Sequence, residues 1–179
     1  MWSRHMGEPV RVGVNISARQ IEAPEFFDMV EQTQADFHLP PSHLELEVTE
    51  SIMMADLERA TTVLQKLRNL GVRVGIDDFG TGYSSLGQLK RLPIDTLKID
   101  RSFIKDLPGD RADASIATAV VHLAKKLGLE VVAEGVETQE QLDFLEAPTR
   151  GRHEHLAGTT PGTERLHFGC LKQTPHARL

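Results

Sequence analysis

The sequence contains one cysteine, Cys170, so no internal disulfide can form and a reducing compartment is implied. It has no apolar run of about 18 residues, so no membrane segment is expected. The opening MWSRHMGEP lacks the apolar stretch of a signal peptide. No Gly-x-Gly-x-x-Gly follows the first apolar run, which leaves a dinucleotide-binding fold without support. Positive charge is short as well. Lys and Arg number 20 against 26 Asp and Glu, a net −6 that argues against a nucleic-acid polymer as partner.

What remains is a chain of 179 residues, 40% hydrophobic and 26% charged, a composition and length suited to one globular domain. The charge is uneven. Residues 148–179 hold five Lys/Arg against two acids, so this segment is +3 and residues 1–147 carry −9. Four of the eight histidines also lie there. A boundary is therefore expected near Pro148, with 1–147 as the domain and 148–179 as an irregular tail.

Before that boundary, hydrophobic periods of two and of 3.6 alternate. Val10–Ser17 reads as a strand and Pro24–Phe37 as a helix stopped by Pro40-Pro41. Leu44–Thr49 reads as a strand, Ile52–Leu70 as a helix ending at Gly71, and Val72–Asp77 as a strand. A short helix over Ser84–Arg91, a strand over Asp95–Ile99 and a helix over Ala112–Leu127 follow. Glu130–Ala133 is the fifth strand and Thr138–Leu145 the last helix. Five strand–helix units imply a parallel sheet covered by helices, either doubly wound or part of a (β/α) barrel.

Each expected strand ends in polar residues. They are Asn15 and Ser17, Glu47 and Glu50, Asp77 and Asp78, Lys98 and Asp100, and Glu134. In either architecture the carboxyl ends of parallel strands share one rim, where active sites sit. Four carboxylates converging there would repel one another unless some took up protons or a cation joined them. Oxygen donors without Cys or His suit a hard divalent ion, and adjacent aspartates suit a pair of ions about 3.5–4 Å apart, the arrangement for displacement at phosphorus. The bland alternatives stay beside this. Asp77-Asp78 can be a plain turn, Ser84 or Ser85 a helix cap, Lys98 a structural partner of Asp100, and Glu45 a solvent-facing strand residue.

The stretches VNISARQ, ELEVTES, IDDFGTGYSSL, LKIDRSFI and VVAEGVET, in this order, resemble the EAL domain over roughly Trp2 to Leu145. The resemblance implies an α/β fold, a TIM-like (β/α) barrel, here partial with about five of eight strands recognisable. It implies hydrolysis of the bacterial second messenger cyclic di-GMP to linear pGpG in the cytoplasm, in the control of biofilm and motility. Two Mg2+ or Mn2+ ions are implied as cofactors, with Ca2+ inhibitory. Asn15, Glu47, Asp77 and Asp78 resemble the metal ligands. Lys98 and Glu134 resemble the pair that positions and deprotonates the attacking water. Glu50 resembles the glutamate that pins the loop after Asp78. Asp100, Ser17 and Arg19 are assigned to substrate binding, and Glu137, Gly80, Thr81 and Gly82 to support. A homodimer and a companion sensory or cyclase domain are the implied partners.

The chain departs from that pattern at both ends. The Glu-Ala-Leu that names the family would precede Trp2, and a late glutamine would fall near Glu154, where GRHEHLAG does not match. The change of composition after Glu146 predicts a shifted reading frame, which sequencing the encoding DNA would test, and the start's resemblance to the family's helix-to-strand passage entered midway implies an internal start at Met1. Weak or no turnover is expected of this chain. The competing readings are a module that binds cyclic di-GMP without cleaving it and a fragment without function.

Overall fold

Residues 11–82, 86–150 and 166–169 are described by the computed structural model of the chain. In order, the first elements are β1 (Val12–Ile16), α1 (Ala18–Glu22), α2 (Phe26–Phe37), β2 (Leu44–Thr49), α3 (Glu50–Ala55), α4 (Leu57–Leu70) and β3 (Arg73–Phe79). Then come α5 (Leu86–Leu89), β4 (Thr96–Ile99), α6 (Arg111–Leu127), β5 (Glu130–Glu134), α7 (Gln139–Arg150) and β6 (Leu166–Gly169). The chain divides into two compact units, Met1–Leu97 and Lys98–Leu179. None of the helices among the described residues is long and apolar enough to cross a membrane.

In the first unit β1, β2 and β3 are parallel, and consecutive strands are neighbours. Three parallel strands in chain order are common to a (β/α) barrel and to one half of a doubly wound sheet. Asn15 pairs in register with Glu47, Glu47 with Gly75, and Thr49 with Asp77. Register partners share a face and successive residues alternate. One face of this sheet therefore carries Ile16, Leu46, Val48, Val74 and Ile76. The other carries Asn15, Glu45, Glu47, Arg73 and Asp77.

The apolar face makes the core. Leu46 is 3% exposed, and Val48, Val74 and Ile76 are fully buried. The helix α4 packs on β3 and presents Ala60, Leu64 and Leu67. Each of the larger side chains, valine, leucine or isoleucine, contributes about 1.5–3 kcal/mol when buried. Gly71 ends α4 in the left-handed conformation (φ 95°), returning its N–H to Arg68 and Leu67 carbonyls. In the second unit β5 and β6 are parallel, Glu134 in register with Gly169. The helix α6 packs on β5 and α7, with Ala117, Val120, Val121 and Ala124 buried.

Several expectations are corrected. The helix expected over Ile52–Leu70 is two, because Asp56 leaves helical geometry (φ −145°, ψ 84°) and caps α4, accepting from the Arg59 N–H at 3.1 Å. The stretch before Phe26 holds an extra helix, α1. Its signal is legible: Ser17 and Gln20 form a capping box. Within the tail expected to be irregular, Leu166–Gly169 form β6, and α7 continues past the expected boundary to Arg150. Glu45 does not face solvent. It is 7% exposed and bridges to Arg11 at 3.2 Å. Its position on the polar face, not the period of two, decides that burial. The start of the helix expected over Ser84–Arg91 and the glutamine position near Glu154 lie outside the described residues.

Candidate functional site

The first unit supplies the candidate oxygen ligands. Asn15 and Glu47 stand at one level of the polar face, and Asp77 stands one step further along β3 on the same face. The Glu47 carboxylate is turned back over Gly13: a Cβ on Gly13 would collide with Glu47 Oε1. Glycine at that position is what lets the carboxylate lie there. Among the described residues, no three His, Cys, Asp or Glu side chains are gathered as a metal site. The donor set, carboxylates with an amide oxygen, is nevertheless the chemistry a hard divalent cation takes. The residues thus fit such an ion by donor type and by strand register.

The end of β3 is shaped by its backbone. Asp78 sits at φ 54°, a left-handed conformation that an Asp side chain tolerates better than most. Its N–H donates to Asp77 Oδ1 at 3.1 Å, and its carbonyl accepts from the Thr81 hydroxyl at 2.8 Å and the Thr81 N–H at 3.3 Å. The left-handed turn therefore takes Asp78 out of the strict alternation of faces that an extended strand imposes. Asp77 and Asp78 are both half-buried.

Glu50 holds the following loop. Only 2% exposed, it accepts from the Gly80 N–H at 3.1 Å. A Cβ on Gly82 would fall 2.7 Å from Glu50 Oε1 and 2.8 Å from its Cδ. Gly80 itself lies at φ 100°. The two glycines thus let the loop close over a buried carboxylate, tying it to α3. Tyr83, Ser84 and Ser85, the rest of the GTGYSS stretch, lie outside the described residues.

Ser17 is engaged as the cap of α1. Its N–H and hydroxyl donate to Gln20 Oε1 at 3.0 and 2.8 Å, and its oxygen receives the Gln20 N–H at 3.4 Å. Arg19 is exposed on the same helix.

In the second unit the Lys98 ammonium lies 2.7 Å from Glu134 Oε1, with the Lys98 side chain 12% exposed. Such a charge-assisted contact, largely out of water, is among the stronger hydrogen bonds in proteins. Lys98 is therefore not the partner of Asp100. Asp100 instead caps the short turn Arg101–Phe103, accepting from the Ser102 N–H at 3.0 Å and from the Ser102 hydroxyl. The Ser102 hydroxyl above all, with the Ser102 and Arg101 N–H groups, holds the Asp100 carboxyl below its usual range, against an opposing push from burial.

Arg101 and Gln141, which no sequence argument singled out, organise the loops after β4 and β5. Arg101 Nη2 donates to Glu137 Oε1 at 2.8 Å. Gln141, 4% exposed, accepts from the Glu137 and Thr138 N–H groups at 2.7 and 3.0 Å. Its amide nitrogen donates to the Ile104 and Lys105 carbonyls at 3.1 Å each. A signal for the ion pair was present: Arg101 follows Lys98 by three residues, as Glu137 follows Glu134.

Comparison with known proteins places these residues in context. The EAL domain family profile matches residues 1–148. The cyclic di-GMP phosphodiesterase NbdA of Pseudomonas aeruginosa is 49% identical over 138 residues, which is 77% of this chain and 18% of that protein. The solved structure of the PaMucR phosphodiesterase in complex with c-di-GMP superposes with a TM-score of 0.74 at 48% identity, covering 77% of this chain and 56% of that one. Klebsiella pneumoniae BlrP1 in a manganese/cy-diGMP complex gives 0.70 at 31% identity, over 77% of this chain and 36% of that one. The fold class is accordingly the α/β, TIM-like barrel of these domains, present in part. The chain spans only about a fifth of the curated relatives it matches.

Proposed function

The chain belongs to the EAL domain family, and on that premise we propose that it acts on cyclic di-GMP, opening the ring to linear pGpG. Water adds to one phosphorus, the bond from that phosphorus to a ribose 3′ oxygen breaks, and the oxygen leaves as a hydroxyl. The observation that carries this reading is the Lys98–Glu134 pair at 2.7 Å. A carboxylate held against an ammonium is aimed, so it stands to take a proton from a water that Lys98 orients. The domain is assigned to residues 1–147.

Asn15, Glu47, Asp77 and Asp78 are the residues that would hold two divalent ions, Mg2+ or Mn2+, with Ca2+ binding unproductively. When bound, such ions lower the pKa of water and neutralise charge developing on phosphate. The chain's own groups do the rest. Glu50 keeps the Gly80–Gly82 loop, with Thr81, against α3 and so fixes where Asp78 points. Glu137 supports the loop that follows Glu134. Ser17, Arg19 and Asp100 are assigned to the substrate, Arg19 by its exposed charge towards phosphate. The setting is the bacterial cytoplasm, within a larger signalling protein governing biofilm and motility, with a sensory or cyclase domain alongside and a homodimer as the assembly.

The test is conversion of cyclic di-GMP by the purified chain with Mg2+ or Mn2+, read by chromatography, together with calorimetric binding. Slow conversion is expected, abolished by Asp77→Ala and by Lys98→Met. A chain that melts cooperatively yet neither binds nor converts the dinucleotide would refute the reading.

A further inference from the structure

The ion pair Arg101–Glu137 is exposed, 63% and 66% at its two side chains, so by itself it adds little to stability. Its placement is what matters. Gly135 follows Glu134 directly and lies at φ 72°, and the Arg101 side chain runs across it. A Cβ on Gly135 would meet Arg101 Cγ at 2.5 Å, Cδ at 2.9 Å and Nε at 3.2 Å. The guanidinium then reaches Glu137. From the buried side, Gln141 fastens the same two loops, bonding two N–H groups of one and two carbonyls of the other. The segments Lys98–Arg101 and Glu134–Glu137 are thus closed at both ends by charge, over a glycine that admits the arginine stem.

We propose that Arg101 is a positioning residue: by lying across Gly135 and holding Glu137, it keeps the Glu134 carboxylate on the Lys98 ammonium. This rests on reading Lys98 and Glu134 as the pair that handles water, but it concerns their geometry and is measured without turnover. The small contribution of an exposed ion pair to folding makes the role separable from stability. Losing the clamp frees the Glu134 side chain to leave Lys98 while the two loops, still fastened by Gln141, stay closed.

The experiment is competitive acetylation of the intact chain with limiting reagent at one pH, read by mass spectrometry. Lys98 is compared with exposed Lys126 in the same unit. A charge-assisted contact shields the amine, so Arg101→Ala is expected to raise the relative Lys98 rate about tenfold, with little change in Tm. Should Arg101→Ala not fold, Glu137→Gln carries the test with the same expected rise, and Arg101→Lys is expected to restore part of the protection. A Lys98 rate within about twofold of the parent in a folded Arg101→Ala or Glu137→Gln chain overturns the proposal. Glu134→Gln separates the two failures. If it raises the rate while the clamp variants do not, only the positioning role falls. If it too leaves the rate unchanged, there is no pair to position and the water-handling reading falls with it.

Discussion

In the first unit Glu50 accepts from the Gly80 amide and Asp77 from the Asp78 amide, whereas in the second Glu134 meets Lys98 and Glu137 meets Arg101. A backbone N–H orients a carboxylate without cancelling its charge. An ammonium or guanidinium does both. Glu134 and Glu137 each have a cation against the carboxylate itself. The backbone differs in the same sense. The first unit bends Asp78 itself into the left-handed region. The second leaves that conformation to a glycine and covers it with arginine.

The comparison breaks most forcefully at the two cores. Leu64 is fully buried in the first unit and Leu145 is 2% exposed in the second. Replacing either with alanine is expected to cost about 2–5 kcal/mol by urea unfolding. A loss below about 1 kcal/mol at one of them would mean that unit owes little to its packed core.

Next in size is Glu50→Ala, which removes the buried acceptor of the Gly80 N–H. A loss of about 1–3 kcal/mol is expected, with faster hydrogen exchange at Gly80 and Thr81. Unchanged exchange there would show that the loop is held by other means.

Smaller still is a contrast of glycines. Gly128 and Gly135 share a left-handed φ, 71° and 72°, but nothing lies within 4 Å of a Cβ at Gly128, while Arg101 crowds Gly135. Gly128→Ala should cost about 1–2 kcal/mol from backbone strain alone, and Gly135→Ala measurably more. Equal losses would deny that Arg101 rests on Gly135.

The smallest effect is pH dependence. The Asp100 carboxyl is held below its ordinary value, so it stabilises the fold above the unfolded pKa of about 3.9 and stops doing so as pH falls through its folded value. Ser102→Ala removes the hydroxyl that is the largest cause. Stability should then decline less steeply on acidification from pH about 5 downwards, where titration of such a group begins to act. An unaltered slope would mean that Asp100 gains nothing from its cap.

Much of this was legible beforehand, for physical reasons. Leu44–Thr49 alternates because one face of β2 is apolar, and its strand bounds follow from that period alone. Helix ends at Gly71 and Gly128 follow from the freedom of glycine at positive φ. The polar strand ends stood out because a buried strand rarely ends in charge without use for it. The break at Asp56 was hidden inside one continuous apolar stripe, where a single cap residue outweighs the period. The strand β6 was hidden in a segment of four residues, too short to show a period at all.

The sequence by itself determined where strands and helices alternate and which residue types stand at the strand ends, because period, caps and turns act within a few neighbours. Only the tertiary structure decided who meets whom. Lys98 goes to Glu134 and not to nearby Asp100, Glu45 turns inward to Arg11, and Gln141 closes two loops at once. Those partners lie more than thirty residues apart along the chain. No local pattern ranks such pairs, since the register of strands and the bend of a loop choose among charges that look alike in one dimension.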